Sequence, residues 1–271
     1  MNKKNEFVLI GIISLILLSL VAFLGYNQFS KEEESTDKLI ASGHPEWPPI
    51  MYQQDDKIVG AGPEIVERIF TELGVPVTTN YEGSWDEVQQ KAKDGTVDVL
   101  VAAYKTAERE EYMDYSIPYT TDPVVLVVKK GKTFPNNSLD ELIDKKGVVM
   151  IGDSYGQTFD NFIKEKLSVR EVSTAKEAFD LLENEEAHYF VYALYSAQNY
   201  MFENQVMDNF EIIPNYITSE NFYVTISKKS PYNYLMPQVN ELLQKYTEDG
   251  IIDQIISDKR QALWNLPQTG Q

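Results

Sequence analysis

The 271-residue chain contains no cysteine. That excludes disulfides, thiolate metal sites and lipid attachment through an amino-terminal cysteine. Histidine is nearly as scarce. His44 and His188 are far apart and lack metal-ligand spacing, so both read as ordinary residues and no metal is expected. Basic residues are outnumbered, 24 Lys and Arg against 42 Asp and Glu, for a formal net charge of −18. Such a body repels phosphate backbones and anionic lipid heads, which argues against a nucleic-acid partner, and it keeps an exported protein soluble. There is no Walker loop, dinucleotide fingerprint, internal repeat or low-complexity segment, and no cofactor is expected.

What is present begins with one long uncharged run, Phe7 to Tyr26. It is about as long as the roughly 20 residues a helix needs to cross a bilayer. Lys3 and Lys4 precede it and Lys31-Glu32-Glu33-Glu34 follow it, which puts the amino terminus inside and the body outside. A cleaved signal peptide and an uncleaved anchor in the inner membrane both remain open. The run exceeds a usual signal core of about 7–15 residues, and cuts near Ala22 or Gly25 would place Leu20 or Phe23 at the outer recognition position, so the anchor is favoured. Residues 1–30 are thus read as signal or anchor, 31–37 as a charged linker, and the rest as a periplasmic or extracytoplasmic body. Leu266 to Gly270 resembles a sortase recognition motif with only Gln271 after it, and 265–271 is read as a tail.

Along the body, strand and helix signals alternate over short loops. The pattern predicts a strand from Lys38, a loop without regular structure over Gly43 to Tyr52, a helix over Pro63 to Leu73, a strand over Val75 to Tyr81 and a helix over Trp85 to Asp94. A second such unit follows a long strand starting at Pro123, with helices over Phe159 to Lys166 and Thr174 to Asn184 around strands near Val148 and His188. Strands at Phe210 and Phe222 lead back to the first unit, and helices over Leu235 to Asp249 and Ile251 to Ser257 close the chain. The expected fold is α/β: two doubly wound lobes joined by two extended crossovers with a cleft between them. Residues 38–125 and 219–264 would form lobe 1, and 126–218 lobe 2.

The densest signal is Gly95 to Tyr119. Val97 to Ala102 is a short apolar run of the kind a covered parallel strand has. Thr106 caps the helix after it, with Glu108 and Glu110 in the first turn. Arg109 therefore stands just past the carboxyl end of a strand, where open α/β sheets bind ligands, and a guanidinium there suits a carboxylate. A surface ion pair with Glu110 or Glu111 is the competing reading.

Several fragments in order carry a family resemblance. They are Trp47-Pro48-Pro49, Lys57 to Gly60, Gly95 to Asp98, Thr106-Ala107-Glu108-Arg109, Tyr115 to Tyr119, Ser219 to Tyr223 and Glu248-Asp249-Gly250. Together they resemble a type II periplasmic solute-binding protein of the amino-acid-binding family that feeds ABC importers, bacterial extracellular solute-binding proteins family 3. The resemblance implies that Arg109 grips a ligand carboxylate, that Trp47 stacks on its side chain, and that Ala102 and Tyr104 flank it. Gly156-Gln157-Thr158 would close over the carboxylate with backbone amides at a helix start, a ready anion site, with Gln157 and Thr158 as binding residues. An ABC-type permease would be the partner of the closed form.

Two positions depart from the family pattern. Gly60-Ala61-Gly62 replaces a Gly-x-Asp, and the acidic residue that usually meets the ligand's ammonium is replaced by Ala193 or Tyr192. An unpaired ammonium in a cleft is costly. Either Asp153, Glu220 or Asp122 substitutes, or the ligand is a carboxylate without an amine, held by Tyr192 and Tyr195. Binding for uptake is therefore expected rather than catalysis. A ligand-sensing or accessory module and a cyclohexadienyl-type dehydratase on the same fold are the alternatives.

Overall fold

The computed structural model describes residues 38–264. The expected anchor, linker and tail lie outside the described residues. Among those described, no helix is long and apolar enough to cross a membrane.

The chain enters through β1 (Leu39–Ser42). Strands β2 (Glu46–Trp47), β3 (Met51–Gln54) and β4 (Lys57–Val59) then form a small antiparallel sheet. The proline-rich stretch expected to be irregular thus contains two short strands. Pro45, Pro48 and Pro49 all fall outside them, so no ladder hydrogen bond is lost. Gly60 has φ of +126° and a side chain there would strike the carbonyls of Pro49 and Ile50. The same carbonyls accept the first amides of α1 (Ala61–Glu72), Ala61 at 3.0 Å and Gly62 at 2.8 Å. In this chain Gly60-Ala61-Gly62 therefore fastens the Trp47 loop to a helix start, and α1 buries Ile65, Val66, Ile69 and Phe70 behind it.

The first half continues through β5 (Val77–Thr79), α2 (Trp85–Asp94), β6 (Val99–Ala103) and the single turn α3 (Ala107–Glu110). A Ser84–Glu87 capping box opens α2, and Gly95 closes it in the left-handed conformation. Next comes β7 (Met113–Lys129), a 17-residue strand. It starts ten positions before Pro123, where the sequence pattern placed its beginning. Pro118 and Pro123 obscure it. At the first, a register shift leaves Tyr119 unpaired, and its hydroxyl donates to Val101 O instead.

The second half comprises β8 (Lys146–Met150), α4 (Gln157–Lys166), β9 (Ser168–Val172), α5 (Ala175–Glu183), β10 (Tyr189–Ala193), α6 (Leu194–Glu203) and β11 (Phe210–Ile212). The chain returns along β12 (Thr218–Ser227) to α7 (Met236–Glu248) and α8 (Ile251–Trp264). The last helix runs seven residues past the expected Ser257. Strand order in the large sheet is β5-β1-β6-β12-β7-β10-β8-β9, with β11 also on β7. β7 changes partners at Val124, which faces Thr218 of β12 and Ala193 of β10. The two crossovers are thus one continuous ribbon lying between two α/β halves.

Asp98, in the Gly95–Asp98 lead to β6, ties this half together. Its carboxylate accepts Ile40 N–H at 2.8 Å and the Ser230 hydroxyl at 2.6 Å, while its carbonyl accepts Ser227 N–H. Asp98→Ala would leave a buried amide and hydroxyl unpaired, at a cost of about 2–3 kcal/mol. Urea unfolding should show that loss as a lower midpoint at unchanged slope, with Asp98→Asn losing clearly less.

Candidate functional site

Thr106 Oγ1 accepts the Arg109 N–H at 3.1 Å, the cap read from the sequence. This turns the guanidinium inward, where Arg109 is only 5 % exposed. Its Nε donates to Gln89 Oε1 at 2.8 Å, Nη1 to Tyr104 O at 3.1 Å and Nη2 to Gly152 O at 3.1 Å. Gln89 also donates to Gly152 O, at 3.0 Å, and the Trp85 ring lies 5.3 Å from the guanidinium carbon. Glu110, the alternative surface partner, pairs with Lys105. Arg109 thus joins the two halves, and each of these three bonds goes to a neutral oxygen.

Trp47, Ala102, Tyr104 and Arg109 line one small chamber of about 20 Å³, together with His44, Trp85, Asp153 and Phe222. The Trp47 ring stands edge-on to Tyr104, Tyr192 and Phe222 at centroid distances of 5.9, 5.8 and 6.4 Å. Its indole N–H donates to Asp122 Oδ2 at 2.7 Å. The Tyr192 hydroxyl, from the second half, donates to Glu46 O at 2.6 Å. Ser196 Oγ donates to Pro48 O, and the Glu46 carboxylate accepts Ala175 N–H at 2.7 Å, at the start of α5. Tyr195, considered beside Tyr192 as a ligand holder, lies away from this chamber under the guanidinium of Arg260.

Ala193, at the position of the missing acidic residue, ends β10 and begins α6. Asp122, Asp153 and Glu220 all act on the buried Tyr104 hydroxyl, which has no hydrogen-bond partner among the described residues. Burial first, and then these three charges, hold its pKa well above the ordinary tyrosine value. Asp153 pairs with His44 Nε2 at 3.0 Å. His44 Nδ1 accepts Glu46 N–H at 2.9 Å, which assigns the proton to Nε2 facing Asp153. His44 is therefore a cleft residue, contrary to the reading of both histidines as ordinary. His188 only accepts the Lys146 amide at the sheet. Glu220 packs on Gly156, where φ is +94° and any side chain would collide with its carboxylate.

Beyond Arg109 a larger cavity of about 630 Å³ opens between α2 and α4, lined also by Asp153, Gln157 and Asp160. Gln157 Oε1 accepts Ala107 N–H at 3.1 Å, again joining the halves. Thr158 is exposed and lines neither space. At the start of α4 the protein supplies its own carboxylate. Asp160 accepts the Ser154 hydroxyl and Tyr155 N–H, and burial raises its pKa despite those bonds. Gly152 to Gly156 spells G-x-S-x-G, yet Ser154 is committed to Asp160 and His44 to Asp153, so the loop holds no nucleophile–base pair. No group of three or more His, Cys, Asp or Glu among the described residues could hold a metal ion.

Trp85, Gln89 and His44 escaped the sequence analysis as site residues. Trp85 and Gln89 stand one turn apart on α2, a spacing any amphipathic helix has, and only the tertiary fold brings them to Arg109.

Asp122 carries a pH signature. Burial pushes its pKa up to about 7, opposed by the Trp47 indole and the charge of Arg260. An acid raised on folding binds more protons folded than unfolded between its two pKa values, so it subtracts stability as pH rises from about 4 to 7. Asp122→Asn keeps an acceptor for the indole and removes this titration. Its melting temperature relative to wild type should climb across that window and level off above it, at about 2–4 °C per kcal/mol.

A model of the bacterial extracellular solute-binding proteins, family 3, matches residues 39–259. The L-cystine-binding protein TcyJ of Escherichia coli is 26% identical over 152 residues, 54% of this chain and 57% of that protein. The chain thus aligns with little more than half the length of that relative. The L-cystine-binding protein TcyA of Bacillus subtilis is 24% identical over 203 residues, 74% of this chain and 72% of that protein. Among solved structures, the amino acid ABC transporter substrate-binding protein AbpA from Streptococcus pneumoniae, bound to L-arginine, superposes with a TM-score of 0.71. It is 24% identical, over 86% of this chain and 98% of that one, and this likeness is one of fold. With the family model covering most of the described body, the chain belongs to the bacterial extracellular solute-binding proteins, family 3.

Proposed function

We propose that the protein is an extracytoplasmic solute-binding protein that closes its two halves on a small α-amino acid or related zwitterion for uptake by an ABC-type permease. The observation that carries this reading is a buried guanidinium bonded to three neutral oxygens. Arg109 is a fixed positive charge at the junction of the halves, and a ligand carboxylate offers it charge-assisted bonds roughly twice as strong as those to Gly152 O or Tyr104 O. Asp153 lines the chamber with Arg109, and the charges of Asp122 and Glu220 act on the Tyr104 hydroxyl beside it. They supply the negative charge an ammonium needs, in place of the acidic residue this chain lacks at Ala193.

This balance favours an amine-bearing solute over the amine-free acids that the sequence alone left open. The relatives' ligands point the same way, cystine in two curated cases and L-arginine in one structure. The chamber of about 20 Å³ is too small for any amino acid, so ligand entry separates the walls at the Arg109–Gly152, His44–Asp153 and Tyr192–Glu46 contacts. Closure then brings both halves onto the ligand, which takes the place of some of these contacts, a population shift driven by contacts to both halves.

The test is a thermal-shift screen of the full-length protein in mild detergent against L-arginine, L-cystine, L-histidine, L-glutamate, simple amines and mono- and dicarboxylates. A ligand at 100 times its Kd should add about 2.7 kcal/mol of stability. Stabilisation by amine-free acids alone would refute the zwitterion reading. Titration calorimetry on the responding solute should then show Arg109→Met binding about 10–100-fold more weakly, with Arg109→Lys recovering part of the loss. Undiminished affinity in Arg109→Met would remove Arg109 from the site.

A further inference from the structure

A third space, a pocket of about 290 Å³, lies at the ribbon near the point where β7 changes partners. Its walls include Thr120 and Asp122 of β7, Tyr195 of α6, and Asp253, Ser257 and Arg260 of α8. None of these lines the chamber or the larger cavity around Arg109. The pocket is bounded by both halves, since α6 follows β10 and α8 packs on α1.

Two of its lining residues hold buried polar atoms without a hydrogen-bond partner among the described residues, Asp122 Oδ1 and Arg260 Nε. One is an acceptor on an acidic group and the other a donor on a permanent cation. Buried groups of this kind are met by partners in nearly all proteins, and here two complementary ones belong to residues that line one pocket. The Arg260 guanidinium carbon lies 4.0 Å from the Tyr195 ring centroid, a cation–π contact. Asp253 adds a second, exposed carboxylate at the rim. Arg260 also offsets part of the burial that raises the Asp122 pKa, so the two charges act on each other across the pocket. The other Asp122 oxygen is taken by the indole of Trp47, which lines the chamber, so this side chain links the pocket to a chamber wall.

We propose that this pocket is a second ligand site, separate from the cleft, that takes a small zwitterion with its carboxylate on Arg260 and its ammonium on Asp122. Glycine, the smallest such molecule, is the probe. Full-length protein carrying Arg109→Met, which disables the cleft, is titrated with glycine by calorimetry, and so are double variants that add Arg260→Gln or Ser257→Tyr. The second change fills the pocket while both charged residues are kept. Saturable binding in the Arg109→Met background that weakens at least tenfold in both double variants is the expected result. Acetate and ethylammonium, each carrying one end of the zwitterion, should bind at least tenfold more weakly than glycine. Absence of saturable glycine binding in a folded Arg109→Met protein, or binding that survives Arg260→Gln and Ser257→Tyr, overturns the site. Acetate binding as tightly as glycine overturns the role of Asp122. The wild-type response to cleft ligands is measured separately and is untouched by either result.

Discussion

The ladder between β7 and β12 is the constraint from which the site follows. The two strands pair from Val124–Thr218 to Ser227–Met113, so both passages between the halves are hydrogen-bonded to each other rather than free. Any relative movement of the halves must bend this ribbon near Val124, where β7 exchanges β12 for β10. Asp122 and Glu220 face each other in register on it, two residues from the exchange. Two acidic groups opposite one another on a ladder repel, and each finds relief in a different direction. Asp122 receives the Trp47 indole and Glu220 the Thr218 hydroxyl.

Around this ribbon donors and acceptors run in both directions between the halves. The first half turns Arg109 and His44 toward Gly152 O and Asp153 of the second, and the second donates the Tyr192 and Ser196 hydroxyls and Ala175 N–H to Glu46 and Pro48 of the first. Closing the halves therefore makes bonds of both polarities. The same groups that hold the halves together are those a zwitterion would address, so ligand and protein compete for one set of donors and acceptors. Residues away from that set, such as Gln89 and Trp85, orient the guanidinium without offering it a counter-charge.

Much of this was legible in the sequence because it is local. The Thr106 cap, the buried run before it and the Gly95 turn lie within fifteen residues of one another, and together they place Arg109 at the end of β6. The three carboxylates were likewise candidates on chemical grounds, since an ammonium site without its usual partner needs another. Contacts made across long separations were not legible. His44 meets Asp153 over more than a hundred residues, and no spacing rule connects them. The early start of β7 was hidden because proline signals a break, whereas here a register shift beside Pro118 and an unpaired position at Tyr119 let the strand continue. Thr158, expected to bind from its place in the Gly156-Gln157-Thr158 loop, is exposed and lies outside both spaces.

The two-residue strand β2 carries one more implication. Glu46 gives its carbonyl to Tyr192 and its carboxylate to the first amide of α5, so a helix of the second half has its amino-terminal anion on the first. Such an anion is typically worth 0.5–2 kcal/mol to a helix. When the halves part, that helix end must turn to water, and the cost falls far from Arg109. The resting balance between open and closed forms is therefore set partly by a borrowed cap on the rim. The solute has to supply only the remainder, and its measured affinity reports the state of α5 as well as its own contacts.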